Sequence, residues 1–246
     1  MRNIKLVIEY DGKEFNRLAK QPDKLNIQGT IEKAIEEITG EEVDLTASGR
    51  TDRGVHALGQ VANFKTNSNI PVEKIPIALN TKLKKSIRIL SAEEVDEKFH
   101  SRLTCKKKTY RYIINNSEYG TAIYRNLETH IPMKLDLEKM QEAVKYFEGE
   151  HDFKSFKASG TSSKSSVRTI YKADVIQIPN NRIYIELTGN GFLYNMVRII
   201  AGTLVEVGIG KIEPKKIKEI IKSEKRENAG KTLPPQGLYL IKVEYE

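Results

Sequence analysis

"SGRTDRGVHALGQVANF" at residues 48–64 sets one carboxylate, Asp52, between Arg50 and Arg53, with Gly49 and Gly54 just outside them. The residues leading in, "VDLTASG" (43–49), read as a strand entering a bend, and "GQVANFKT" (59–66) reads as the strand that leaves it. Such a bend has two readings. It can be a surface turn whose charges partly cancel. It can also present a reactive acid, because two flanking cations lower a carboxyl pKa and keep the group ionised as a nucleophile or base. Glycines on both sides would then let a bulky substrate approach the backbone. Taken alone, the motif fits the turn better.

Toward the N-terminus, "IKLVIEYDG" (4–12) reads as a strand ending in an Asp-Gly turn, and "KEFNRLAKQPDKLN" (13–26) as an ordered loop. Ile27, Ile31, Ala34, Ile35 and Ile38 share one helical face, with Gly40 at the C-terminal end. "VEKIPIALNTKL" (72–83), after Pro71, predicts a second helix, and "IRILSAEEV" (87–95) a further strand.

Toward the C-terminus, "KKTYRYIINN" (107–116) reads as a strand with Tyr110, Tyr112 and Ile114 on one face. "DLEKMQEAVKYFEG" (136–149) predicts a helix capped by Asp136 that buries Leu137, Met140, Val144 and Phe147. "SVRTIYKADVIQIPNNRIYIELTG" (166–189) predicts two strands joined at Pro179–Asn181. "FLYNMVRIIAGTLVEVG" (192–208) predicts a helix with the stripe Leu193, Val197, Ile200 and Leu204, leaving Arg198 off the stripe and free to point into a cleft. "KKIKEIIKSEKRENAGK" (215–231) predicts an amphipathic helix with a solvated, lysine-rich outer face. A two-domain α+β protein with mixed or antiparallel sheets follows, divided as 1–104 and 105–246.

With 39% hydrophobic and 30% charged residues, the 246-residue chain fits an ordinary soluble protein. It has no apolar run of bilayer-spanning length and no signal-like start, so the cytoplasm is the expected location. One cysteine, Cys105, excludes an internal disulfide. The four histidines, His56, His100, His130 and His151, lack metal-ligand spacing, so no zinc site is expected. His56 and His100 read instead as hydrogen-bonded structural residues.

Lysine and arginine total 41 against 33 acids, a formal charge of +8 that favours a polyanionic partner. The stretch "KFHSRLTCKKKTYRY" (98–112) concentrates six basic residues without an acid and ends in alternating tyrosines. That pattern suits RNA, with cations on phosphates and rings on bases, and equally suits a solvated strand edge guarded by lysines. "SFKASGTSSKSSVRT" (155–169) reads as a loop, a plain linker or a phosphate contact. "AGKT" (229–232) fails as a phosphate loop, since Lys225 stands where the pattern needs glycine. "TGNGF" (188–192) is explained by a tight turn.

"SGRTDRGVHALGQVANF" closely resembles the signature of the TruA family of tRNA pseudouridine synthases. The chain is also similar to that family, in the family's order, at "YDG", "IQGTIEKAI", "FHSRLTCKKKTYRY", "GEHDFKSFKASG", "RTIYKADV", "GFLYNMVRIIAGTL" and "PPQGLYLIKVEY". The resemblance implies the pseudouridine synthase fold: two similar α+β domains, each sandwich-like with a mainly antiparallel mixed sheet, and a cleft between them. It implies isomerisation of uridine to pseudouridine at positions 38, 39 and 40 of the tRNA anticodon stem-loop, without metal or cofactor. It also implies a homodimer that contacts the tRNA anticodon stem-loop and elbow.

By the same resemblance Asp52 is the essential carboxylate, and Arg50 displaces the target base. Tyr110 stacks on the ring, Arg198 pairs with the carboxylate, and Leu193 lies in the apolar wall. Arg53, His56, Arg102, Lys108 and Arg168 are expected to contact the RNA. One stretch departs from the family: "FNRLAKQ" (15–21) puts Arg17 and Leu18 where a glycine and a tryptophan are usual. Lying outside the Asp52 motif, it is expected to alter loop shape, RNA contacts or tRNA range rather than chemistry. The rivals are a non-catalytic structured-RNA-binding protein, a divergent paralogue with another RNA target, and a sulfate- or nucleotide-binding enzyme resting only on glycine turns.

Overall fold

Ile4, Leu6, Ile8 and Tyr10 alternate along the strand Arg2–Tyr10 (β1), and all four are buried. The computed structural model describes residues 1–16, 18–19, 25–160 and 165–246, and the chain divides into two units. The first comprises Met1–Lys106 with Tyr239–Glu246. After β1, the helix Ile27–Thr39 (α1) starts at Asn26, whose side chain accepts from the Gly29 N–H, and ends at Gly40 in the left-handed conformation. Thr46–Ala47 (β2) and His56–Thr66 (β3) flank the Asp52 loop. Ile75–Lys82 (α2) and Ile87–Val95 (β4) follow. β3 and β4 lie antiparallel on either side of β1, and β2 pairs antiparallel with β3. Register slips by one residue between the pairs Ile8–Gln60 and Tyr10–Ala57, a bulge at the end of the strand that faces the loop.

The second unit, Lys107–Leu238, opens with Lys107–Asn115 (β5) and the short Thr129–His130 (β6), which pair in parallel. Leu137–Lys145 (α3) is capped by Asp136, which accepts from the Lys139 N–H, and buries Met140 and Val144 with Phe147 beyond its end. Gly149–Asp152 (β7), Val167–Ile178 (β8) and Arg182–Gly189 (β9) complete an antiparallel set in the order β5-β9-β8-β7. β8 and β9 turn at Asn180 and Asn181, both with positive φ. Met196–Gly208 (α4) and Lys216–Ser223 (α5) follow, with α3 packed on both α4 and β8.

The last strand, Leu238–Glu244 (β10), pairs in parallel with β3 at Tyr239–His56 and Leu240–Ala57. Residues 239–246 therefore belong with the first unit, not with the 105–246 segment the sequence suggested. Each unit carries a mixed, mostly antiparallel sheet with helices, as an α+β fold requires.

Two helices differ from their sequence expectation. α5 stops at Ser223 and Glu224 turns left-handed at φ 52°, because the apolar stripe ends with Ile221. α4 is buried on nearly every side instead of along one stripe, because residues 229–233 lie along its outer flank. A Cβ on Gly202 would come within 1.8 Å of the Lys231 carbonyl oxygen, and one on Gly230 within 2.6 Å of the Thr203 nitrogen. The "AGKT" glycine thus serves close packing on a helix.

Candidate active site

The Asp52 loop is held by side chains projecting from β3 and from the end of β1. Gln60, fully buried on β3, accepts at Oε1 from the Ser48 hydroxyl at 2.6 Å and the Val61 N–H at 3.1 Å. Its Nε2 donates to the Gly49 carbonyl at 3.1 Å and reaches the Tyr10 hydroxyl at 3.5 Å. The Tyr10 hydroxyl lies 2.7 Å from Thr51 Oγ1. The Thr51 carbonyl accepts from the Leu18 N–H at 3.2 Å, and the Asp52 carbonyl from the Val55 N–H at 3.1 Å. Beyond the carboxylate, the Gly54 N–H donates to the Gly12 carbonyl at 3.2 Å. A Cβ on Gly12 would sit 2.0 Å from the Val55 carbonyl oxygen, so only glycine lets the end of β1 approach this closely.

On this clamped backbone Arg50 and Arg53 are exposed and Asp52 is half-buried. Asp52 therefore lies at the boundary of solvent and the two arginines lie within it. His56 is buried behind the loop, its ring stacked on Tyr239 at 4.8 Å, with Nδ1 accepting from the Gly12 N–H at 3.2 Å. From this enclosed position it braces the loop from behind. Arg102 is exposed in the turn after β4.

Leu18, from the stretch that departs from the family pattern, is buried as well as bonded to Thr51, and its carbonyl accepts from the Gln28 N–H at 2.9 Å. That stretch is consequently joined to the Asp52 motif instead of standing apart from it. Arg17, Lys20 and Gln21 of the same stretch lie outside the described residues, as do 161–164 of the serine-rich loop.

In the second unit, the turn after β9 gathers most of the expected residues. Tyr110 on β5 packs edge-on against Phe192, with ring centroids 5.1 Å apart. Lys108 lies opposite Gly189 in the β5–β9 register, and Arg168 on β8 lies near Gly191. Asn190 fixes the turn by accepting the Thr169 N–H at 3.0 Å and donating its own N–H to the Thr169 carbonyl at 3.0 Å. Partial burial lowers the pKa of the Arg168 guanidinium. Leu193 is buried at the entrance to α4.

Arg198 is not free to swing. Its Nε donates to the Leu233 carbonyl at 2.7 Å and a terminal nitrogen donates to Asn195 Oδ1 at 2.7 Å. Asn195, the residue before α4, is left-handed and spends its side-chain oxygen on Arg198 instead of on the helix amides. Nearby, the Tyr112 hydroxyl contacts Thr129 Oγ1 at 2.6 Å and donates to the Pro234 carbonyl at 2.7 Å. Burial raises the Tyr112 pKa well above its ordinary value, with Thr129 and the Arg198 charge working the other way.

Sequence reasoning missed Tyr10, Thr51, Gln60, Asn195 and Phe192. The available signal for Gln60 was a polar residue inside the buried run of β3, and for Phe192 an aromatic directly after a glycine turn. Among the described residues no cluster of three or more His, Cys, Asp and Glu could hold a metal, and no helix is long and apolar enough to cross a membrane.

A family model described as tRNA pseudouridine synthase matches residues 6–103 and 143–246. The chain is 54% identical over 245 residues, covering 100% of both, to the "tRNA pseudouridine synthase A" of Caldicellulosiruptor saccharolyticus. It is 52% identical, again over 100% of each chain, to the protein of the same name from Acetivibrio thermocellus. It is also 52% identical over 246 residues, and 100% of each chain, to the "tRNA pseudouridine synthase A 2" of Clostridium perfringens.

Proposed function

The chain belongs to the TruA family of tRNA pseudouridine synthases, and on that premise we propose that it isomerises uridine to pseudouridine at positions 38, 39 and/or 40 of the tRNA anticodon stem-loop, with Asp52 as the reacting carboxylate. The observation that carries the reading is Asp52 itself, half-buried on a clamped loop between two exposed arginines. The proposal takes the protein as a cytoplasmic homodimer, with tRNA as its partner.

The isomerisation breaks the bond between uracil N1 and ribose C1′, turns the base, and forms a bond from C5 to C1′. The proton on C5 is released and N1 takes one up. A base inside a stem must first leave it, at a cost of about a few kcal/mol. Arg50, long, cationic and exposed, fills the vacated place while touching phosphate. Tyr110, braced edge-on by Phe192, gives the flipped uracil a flat surface worth about 1–3 kcal/mol. Asp52 acts at C6, at C1′ or on the C2′ proton, and Arg198 favours its ionised form. Arg53, Arg102, Lys108 and Arg168 hold the RNA backbone, and Leu193 lines the apolar side of the pocket.

A divergent-paralogue reading stays beside this one because of Leu18. The stretch that departs from the family is bonded to Thr51, so its change reaches the loop that meets the RNA and would tune which tRNAs are accepted.

The test is tritium release from tRNA labelled at uracil C5. The wild-type chain is expected to release tritium and Asp52→Ala to lose at least about 1,000-fold in rate, the scale of a missing nucleophile or base. Binding without release on every tRNA tried would instead make the chain a non-catalytic RNA-binding protein.

A further inference from the structure

We infer that Tyr10 is a positioning residue for Asp52: its hydroxyl, oriented by Gln60, donates to Thr51 and thereby fixes the peptide that carries the carboxylate. The inference rests on the reading of Asp52 as the reacting group.

The direction of the bonds follows from Gln60. The Val61 N–H can only donate, so the Gln60 atom it meets is the carbonyl oxygen, and the amide nitrogen must face Gly49 and Tyr10. That nitrogen donates to the Tyr10 oxygen at 3.5 Å, a long contact but correctly oriented. The phenol proton is left to Thr51 Oγ1, at 2.7 Å. Burial pushes the Tyr10 pKa up to about 12, against the lowering pull of Thr51 and Gln60, so the phenol keeps this proton at any working pH. Thr51 is then held twice, at its hydroxyl by Tyr10 and at its carbonyl by the Leu18 N–H at 3.2 Å.

Packing does not require the hydroxyl. The other inward residues of β1 are Ile4, Leu6 and Ile8, and phenylalanine would fill the Tyr10 site with the same ring. The oxygen brings a polar group into the interior, where it must be satisfied, and its partners are Gln60 and the residue beside Asp52. The bulge between Ile8–Gln60 and Tyr10–Ala57 brings Tyr10 toward the loop at that point. A dispersion contact is non-directional, whereas a satisfied buried network sets one geometry. Arg50, exposed between the clamped Gly49 and Thr51, can then move without carrying Asp52 along.

The experiment compares Tyr10→Phe, Thr51→Val, Thr51→Ser and Asp52→Ala in the full chain, by tritium release from C5-labelled tRNA, tRNA filter binding and thermal unfolding. Tyr10→Phe and Thr51→Val are each expected to lower kcat about 10- to 100-fold, the scale of a sub-ångström misplacement, with KM and tRNA affinity within about 2-fold. Thr51→Ser should recover most of what Thr51→Val loses, and Tyr10→Phe combined with Thr51→Val should lose little more than the worse of the two alone. A Tyr10→Phe kcat within about 2-fold of wild type would overturn the inference, as would a loss confined to KM or thermal stability. Should Tyr10→Phe not fold, the Thr51→Val and Thr51→Ser pair decides alone: equal kcat overturns, and recovery by serine supports. Asp52→Ala separates the two readings. Activity retained there defeats the role of Asp52, whereas its loss beside an unaffected Tyr10→Phe defeats only the role of Tyr10.

Discussion

The Asp52 loop and the α4 helix are fixed by opposite means. The loop hangs from buried polar side chains, Tyr10, Ser48, Thr51 and Gln60, whose bonds have direction. α4 is wedged among apolar neighbours and a closely laid backbone segment, with bonds to the Leu233 carbonyl and Asn195 Oδ1 orienting Arg198 upon it. Directional bonds among satisfied groups contribute modest net stability, about 1 kcal/mol each, but restrict angles tightly. Close packing contributes stability and tolerates little added volume. Damage to the first region should therefore appear in kcat, and damage to the second in folding.

The severest way to break that contrast is Gly202→Ala. Alanine favours a helix over glycine by about 1 kcal/mol. Here, however, its Cβ would meet the Lys231 carbonyl oxygen at 1.8 Å, and that oxygen belongs to backbone held by the Gly230 bond to Thr203. Destabilisation of about 3 kcal/mol is expected, a fall in Tm of about 6–12 °C for a chain of this size. An unchanged or higher Tm by calorimetry would show that residues 229–233 yield easily, and α4 would no longer count as the rigid partner.

Alkaline pH sharpens the contrast, because a tyrosine hydroxyl is buried beside each region, Tyr10 under the loop and Tyr112 near Arg198. Burial raises Tyr10 from 10.0 to about 12 and raises Tyr112 as well. A group whose folded pKa lies above its unfolded value stabilises fully below the unfolded value, and that stability is lost as pH climbs through the folded one. Stability should hold up to about pH 10 and then fall by about 1 kcal/mol per pH unit for each buried tyrosine. Ultraviolet titration of phenolate should show the exposed tyrosines ionising first, with Tyr10 and Tyr112 ionising only as the fold is lost. Smooth titration of all eleven tyrosines near their ordinary value would contradict the burial of both hydroxyls.

How much of this was legible in the sequence follows the same division. β1, α1, β4, β5, α3 and the β8–β9 hairpin declare themselves through alternation, caps and a two-asparagine turn, all local signals. The Asp52 motif was legible through its family signature. What escaped was non-local. The apolar face of α4 opposite its stripe means nothing until residues 229–233 lie upon it, and nothing in "GLYLIKVEY" says that it returns to pair with β3. Tyr10 reads as one more inward strand residue, since alternation reports burial and not what a hydroxyl does there. Arg198 read as free because a helical wheel does not display a carbonyl 35 residues away in sequence.

Arg198→Lys carries the smallest expected effect on stability and the most direct information about that last point. Lysine keeps the charge but loses the fork that lets one guanidinium donate to the Leu233 carbonyl and Asn195 Oδ1 together. Two part-buried acceptors would share a single, more mobile ammonium, a loss of about 1–2 kcal/mol that lowers Tm by about 2–8 °C. If orientation on α4 matters as it does on the Asp52 loop, kcat should fall further than this small stability change suggests, by about 10-fold. If charge alone matters, kcat should stay within about 2-fold while Tm falls as stated. In the first case both regions aim their groups by directional bonds, and the packing of α4 is the foundation beneath them. In the second, only the Asp52 side of the chemistry depends on aim, and the contrast between the two regions extends to the reacting groups themselves.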